Sequence, residues 1–155
     1  MVGFEHTSRI LSPISGTAVP LEQVPDAVFS RQLLGDGIAV LPETGTVFAP
    51  VDGTVCAVTD GRYAYGFETS DGLVILVHVG IGSLTLQGQG FRSFVQPGDP
   101  VKAGDPVAEV DLKLLAEKEI PAITAMVICE GGEGLTLQKT LGPVTGGKTA
   151  AIQLL

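Results

Sequence analysis

The chain carries two histidines, two cysteines and no tryptophan, so the side chains able to do covalent chemistry are few. His78 lies inside the most apolar run, Leu73-Val74-Ile75-Leu76-Val77-His78-Val79-Gly80. The run has strand length, opens after Asp71-Gly72 and closes on Gly80, which favours a buried strand over a helix. A neutral imidazole, with a reference pKa of about 6.5, is a nucleophile and proton carrier near neutrality. A lone histidine in an apolar strand is also, commonly, a core residue with one hydrogen bond. Its claim to a functional role therefore depends on the competing chemistries.

Those chemistries fail on the residue inventory. A catalytic zinc takes about three protein ligands, mostly histidine. Only His6 and His78 are present, His6 falls in the lead segment, and there is no Cys-x-x-Cys, so no metal is expected. No Gly-x-Ser-x-Gly elbow occurs. Cys56 and Cys129 have no local histidine or basic group to activate them and read as small core residues in a reducing compartment. Gly35-Asp36-Gly37 and Gly131-Gly132-Glu133-Gly134 lack the lysine and the spacing of a phosphate loop and read as turns. No cofactor is expected. A single imidazole, by contrast, can take a phosphoryl group on one ring nitrogen and hand it on. That requires the other nitrogen to be oriented and donors to lie near the phosphoryl oxygens. Gly80 and Gly82 either open the backbone to such a group or simply end the strand.

The elements that must position His78 are mostly strands. At 155 residues the chain fits one domain, residues 1–155, with residues 1–8 expected as a loose lead. Short apolar runs between glycine, proline and aspartate turns predict strands near Ile10-Leu11, Gly16 to Val19, Gly37 to Leu41, Gly45 to Phe48 and Gly53 to Val58. More follow at Tyr63 to Thr69, Leu73 to Val79, Gly90 to Phe94, Pro106 to Val110, Ala122 to Ile128 and Ala150 to Leu154. One helix is predicted over Asp111 to Lys118, and a helical turn near Ala27 to Leu33 with Asp26 as its N-cap. This is the pattern of an all-β sandwich or barrel. Two echoes, Ser12-Pro13-Ile14-Ser15-Gly16 with Ala49-Pro50-Val51-Asp52-Gly53, and Gly98-Asp99-Pro100-Val101 with Gly104-Asp105-Pro106-Val107, suggest internal pseudo-symmetry.

A formal net charge of −8, from seventeen acidic and nine basic residues, argues against nucleic acid and anionic membrane surfaces. It suits a basic protein partner. No signal peptide and no run of membrane-spanning length is visible, so a cytoplasmic location without membrane insertion is expected.

Seven stretches taken in order carry a family resemblance. They are Ser12-Pro13-Ile14-Ser15-Gly16, Val24-Pro25-Asp26-Ala27-Val28-Phe29, Gly35-Asp36-Gly37-Ile38-Ala39, Ala49-Pro50-Val51-Asp52-Gly53-Thr54-Val55, Val77-His78-Val79-Gly80-Ile81, Gly88-Gln89-Gly90-Phe91 and Val101-Lys102-Ala103-Gly104-Asp105. Over about residues 9 to 155 the chain resembles the glucose-type enzyme IIA domain of the bacterial phosphoenolpyruvate:sugar phosphotransferase system. The resemblance implies an antiparallel β-sandwich, a barrel-sandwich hybrid with one or two short helices. It implies that His78 accepts a phosphoryl group from the phosphohistidine of HPr and passes it to a cysteine of enzyme IIB, the sugar being phosphorylated as it crosses through enzyme IIC. Family members also bind regulatory target proteins. Phe29 and Leu34 match apolar positions around the family site and Asp26 a nearby acid. Core or helix-cap roles compete for all three. Val79 and Gly80 complete the Val-His-x-Gly motif on the expected docking face.

Two departures stand out. The family carries a second histidine fifteen residues before the acceptor, in an Asn-His-Ala-Phe-like stretch. Here the stretch is Arg62-Tyr63-Ala64-Tyr65, with Tyr63 in that position. The family's aspartate two residues after the motif glycine is Gly82. Tyrosine can donate one hydrogen bond to a phosphoryl oxygen but carries no positive charge at neutral pH. A metal shared with a partner through two histidines is also lost. Arg62 could compensate, although strand alternation would turn it away from Tyr63. Two readings follow: a working phosphocarrier, or a regulatory, degenerate binding module with weakened transfer. Zinc peptidases that share the Ala-Pro-x-x-Gly turn need a His-x-His pair, absent here, and lipoyl-type carriers need a hairpin lysine that Lys102 and Lys113 do not match. The lead is too short for the amphipathic membrane-touching segment of enterobacterial relatives, and the sugar is chosen by the membrane partner.

Overall fold

The computed structural model describes residues 7–155. Its fourteen strands are β1 (Arg9–Leu11), β2 (Gly16–Pro20), β3 (Asp36–Pro42), β4 (Thr46–Phe48), β5 (Gly53–Val58), β6 (Ala64–Glu68) and β7 (Val74–Val79), then β8 (Phe91–Ser93), β9 (Pro100–Val101), β10 (Pro106–Val110), β11 (Thr124–Glu130), β12 (Leu137–Lys139), β13 (Gly142–Val144) and β14 (Ala150–Leu154). The two α-helices are α1 (Ala27–Ser30) and α2 (Leu112–Glu117). Each starts where an aspartate caps it: Val28 N donates to the Asp26 carboxylate and Leu114 N to that of Asp111. Short 3-10 turns cover Leu21–Gln23 and Ser83–Leu86.

The strands pair antiparallel throughout, in one eight-stranded sheet of order β13-β2-β3-β11-β7-β6-β5-β9 and two three-stranded sheets, β1-β14-β12 and β4-β10-β8. This is the β-sandwich with few helices that the turn-rich pattern predicts. The inner face of the large sheet packs the main core, with Tyr65, Phe67, Ile75, Val77 and Met126 fully buried. All eleven anticipated strands are present. The short β9, β12 and β13 were not anticipated, and β6 starts at Ala64, which leaves Tyr63 in the preceding turn. Of the expected loose lead, residues 1–6, including His6, lie outside the described residues. Thr7 and Ser8 are tied down: Thr7 N and Oγ1 donate to the Asp71 carboxylate at 2.7 and 2.8 Å, and Leu154 N donates to the Ser8 carbonyl.

The echoes have a physical counterpart. Leu11 N donates to the Pro50 carbonyl at 2.9 Å and Phe48 N to the Pro13 carbonyl at 2.7 Å. The two proline turns thus clasp each other in a reciprocal, two-fold manner. Ser12 and Ala49 likewise each accept from a distant glycine, Gly147 and Gly104. The second pair of echoes repeats one aspartate turn: Gln96 N donates to the Asp99 carboxylate and Lys102 N to that of Asp105.

Because β7 alternates, adjacent residues on it face different environments. Ile75→Ala should cost about 2–5 kcal/mol, as a cavity in a packed core does, and Val74→Ala on the half-buried outer face less than about 1 kcal/mol. Urea unfolding of the two variants checks this ordering.

Candidate functional site

Along β7 the side chains of Ile75, Val77 and Val79 enter the core, while Val74, Leu76 and His78 point to the outer face. The residues opposite His78 are both alanines, Ala125 on β11 and Ala64 on β6, and Ala39 on β3 lies opposite Ala125. Small neighbours on both sides leave room for two rings against the imidazole. The Phe29 ring lies 5.1 Å away at 55°, and the Tyr63 ring 5.2 Å away at 72°, edge to face.

Phe29 arrives because residues 19–29 fold down on the outer face as a second small core. Val19, Leu21, Val24, Phe29, Ala39, Ile123, Ala125 and Val127 pack together there. The helix that presents Phe29 begins at Asp26, whose charge also reaches His78. Tyr63 is held by its turn. Thr59 Oγ1 accepts from Tyr63 N and Ala64 N, both at 3.1 Å, and Val79 N donates to the Tyr63 carbonyl at 2.8 Å. The ring lies over Gly61, where a Cβ would come within 2.9 Å of Tyr63 Cδ2.

Among the described residues, His78 Nδ1 is the one buried side-chain nitrogen or oxygen without a hydrogen-bond partner. Nε2 is not enclosed in this way. The backbone carbonyls of Gly80 and of His78 itself lie close enough to favour a protonated ring, although neither completes a hydrogen bond to Nδ1 in this geometry. Carbonyls only accept, so a carbonyl beside the enclosed Nδ1 suits the tautomer that carries its proton there and leaves the lone pair on Nε2. Burial holds the imidazole pKa below its ordinary value against the opposing pull of those carbonyls and of Asp26. The ring therefore stays neutral, and nucleophilic, further into the acid range than a free histidine.

The remaining sequence-derived residues divide. Asp26 and Phe29 stand at His78. Leu34, 41 % exposed, lies instead on a groove of about 360 Å³ shared with Leu33, Cys129 and Leu137. Val79 is fully buried on the core face, because alternation sends it opposite to His78, so its side chain offers nothing to a partner. Gly80 is buried too: its φ is +79° and a Cβ would strike Ser83 Oγ at 2.5 Å, so it serves the turn after β7 rather than an open docking surface. Gly82, exposed at φ +81°, occupies a left-handed position that aspartate also tolerates. Arg62 lies in the turn rather than in a strand, so alternation does not govern it. Its guanidinium turns to the carbonyls of Phe91 and Gly88. Cys56, expected in the core, is exposed, because alternation along β5 turns it away from the side taken by buried Val55, and Cys129 is half-buried. Both thiols are held above their ordinary pKa, first by burial and then by Glu68 beside Cys56 and Glu130 beside Cys129. The alanines and Gly61 went unnoticed in the sequence. Their one signal is alanine at paired positions of adjacent strands, readable only once the register is known.

The profile of the family described as phosphoenolpyruvate-dependent sugar phosphotransferase system, EIIA 1, matches residues 8–133. The chain belongs to this family. The glucose-specific EIIA component of Mycoplasma capricolum is 37% identical over 150 residues, which cover 96% of this chain and 97% of that protein. The corresponding component of Haemophilus influenzae is 39% identical over 146 residues, covering 94% and 88%. The glucoside-specific EIICBA component of Staphylococcus carnosus is 42% identical over 128 residues, 83% of this chain, which spans only 18% of that longer protein. The solved structure of glucose permease IIA from Mycoplasma capricolum superposes with a TM-score of 0.89 at 36% identity, covering 98% of this chain and 99% of the other. Among the described residues of the EIIA chain, no helix is long and apolar enough to cross a membrane.

The depressed His78 pKa links stability to pH. Between the folded value and about 6.5 the unfolded chain binds more protons than the folded one, so stability falls as pH drops through that window and levels off below it. Unfolding free energies measured from pH 7 downward should show this loss in wild type, and a smaller one in His78→Gln.

Proposed function

We propose that this EIIA chain is a cytoplasmic phosphocarrier of the sugar phosphotransferase system with His78 Nε2 as its acceptor atom. One observation carries the reading: an imidazole clamped between Phe29 and Tyr63, with its Nδ1 enclosed and its Nε2 not. The Nε2 lone pair attacks the phosphorus of the phosphohistidine of HPr. The donor P–N bond breaks, its electron pair returns to the donor ring, and a new N–P bond forms on His78. In the second step a cysteine thiolate of enzyme IIB attacks the same phosphorus, a P–S bond replaces the P–N bond, and His78 regains its lone pair. A relative that joins EIIA to further components in one EIICBA chain supports an enzyme IIB partner.

The residues around His78 have separable tasks. Phe29 and the alanine row fix the ring and keep its surroundings apolar, which sustains the neutral nucleophile. Tyr63 donates its phenolic hydrogen to a phosphoryl oxygen, a neutral bond weaker than one from a charged donor. The net charge of −8 favours encounter with a basic partner surface. Regulatory target proteins would read the phosphorylation state at this same face.

Incubation with phosphoenolpyruvate, enzyme I and HPr should add one acid-labile phosphoryl group to wild type, seen by intact mass, and none to His78→Ala. Tyr63→Phe should still be phosphorylated but pass the group to enzyme IIB about fivefold more slowly, the rate equivalent of one neutral hydrogen bond. An unmodified wild type alongside a phosphorylated Tyr63→His would overturn the carrier reading in favour of a binding module.

A further inference from the structure

The turn that carries Tyr63 is tethered far more heavily than a hairpin connection requires. Arg62 adopts φ +59°, a left-handed conformation that glycine and asparagine accept readily and arginine does not. Its side chain is committed across the surface. Nε donates to the Phe91 carbonyl at 3.3 Å and Nη2 to the Gly88 carbonyl at 3.5 Å. Gly88, at φ +87°, makes room for it, since a Cβ there would come within 2.8 Å of Nη2. The Arg62 carbonyl in turn accepts from the Tyr65 hydroxyl at 3.1 Å. The tether closes on itself: the Phe91 whose backbone receives the guanidinium places its own ring 6.4 Å from the Tyr63 ring at 65°, on a residue that already meets His78 edge to face. Among the described residues, none hydrogen-bonds to the Tyr63 ring itself, so its position depends on this frame.

We propose that Arg62 is a positioning residue, which locks the β5–β6 turn onto the Gly88–Phe91 segment so that the Tyr63 ring stays edge-on to His78 with its hydroxyl directed at the transferred phosphoryl group. A turn that only had to reverse the chain would be served by glycine or asparagine at position 62. The planar guanidinium fork, by contrast, can hold two carbonyls of one loop at once. The electrostatic contribution of Arg62 to the phosphoryl group is secondary in this arrangement, because its donors face backbone carbonyls. The inference rests on the phosphocarrier reading for its catalytic consequence, and on geometry alone for its structural one.

The test uses the full chain with Arg62→Asn, which keeps the left-handed backbone and removes the fork, and Arg62→Gly as a second variant with the same property. Besides the unfolding midpoint, two quantities are read. The first is the ring-proton resonances of His78, which the edge-on Tyr63 ring shifts. The second is single-turnover transfer from phosphorylated His78 to an enzyme IIB domain at saturating concentration. We expect unchanged unfolding midpoints, His78 resonances moved in the direction seen for Tyr63→Ala, and transfer slowed about fivefold, as for Tyr63→Phe. In the Tyr63→Phe background, Arg62→Asn should slow transfer no further, because both changes remove the same placed hydroxyl. Wild-type resonances and rate in the Arg62 variants, or equal slowing with and without the Tyr63 hydroxyl, would overturn the proposal. If wild type itself takes no phosphate, the carrier reading falls, and the resonances alone still decide whether Arg62 positions Tyr63.

Discussion

The site depends on the two-residue period of β7. Ile75, Val77 and Val79 anchor one face of the strand in the main core, and that anchoring leaves His78 no choice of face. A one-residue slip would bury the imidazole and expose the valines, so the energy that holds the register is the same energy that aims the side chain. Pairing with β6 and β11 then selects its neighbours, and those neighbours are alanines. Everything else at the site is supported from outside the sheet: Phe29 by a second core laid over the outer face, Tyr63 by a hydrogen-bonded turn.

Much of this was readable from residues alone. The long apolar strands and the two helices, the first with its aspartate cap, follow from periodicity and turn chemistry, and the shortage of reactive side chains singles out His78 as the candidate. The missed elements share a reason. Strands β9, β12 and β13 have only two or three residues, too few to establish alternation, and their pairing is defined by the partner strand rather than by their own pattern. The core expectation for Cys56 comes from its apolar neighbours, whereas alternation with buried Val55 turns it outward. Val79 adjoins His78 in sequence, but adjacency along a strand means opposite faces, and Gly80 lies beyond the strand in a turn that encloses it. Tyr63 was placed in a strand although it lies in a turn, which changes how its neighbour Arg62 must be understood.

The reciprocal proline turns show how a weak sequence echo becomes a structural constraint. A shared proline and glycine three residues apart would signify little by themselves. In the fold, Pro13 and Pro50 each offer a carbonyl to the other's strand, and the two three-stranded sheets are joined through hydrogen bonds between residues far apart in the chain. Contacts of such separation raise the contact order, so folding of this domain is expected to be slow for its size. Gly82, one of the two departures from the family pattern, and Arg62, beside the other, both occupy left-handed positions.

The alanines beside His78 set the chain's stability against its use. Valine or isoleucine at positions 39, 64 or 125 would suit a strand better and bury more apolar surface. The same substitutions would occupy the space now held by the two aromatic rings. Selection for a more robust sheet and selection for an accessible imidazole therefore pull these three positions in opposite directions. A packing-guided attempt to make this domain more heat-resistant would find its easiest gains in the places where they crowd the imidazole.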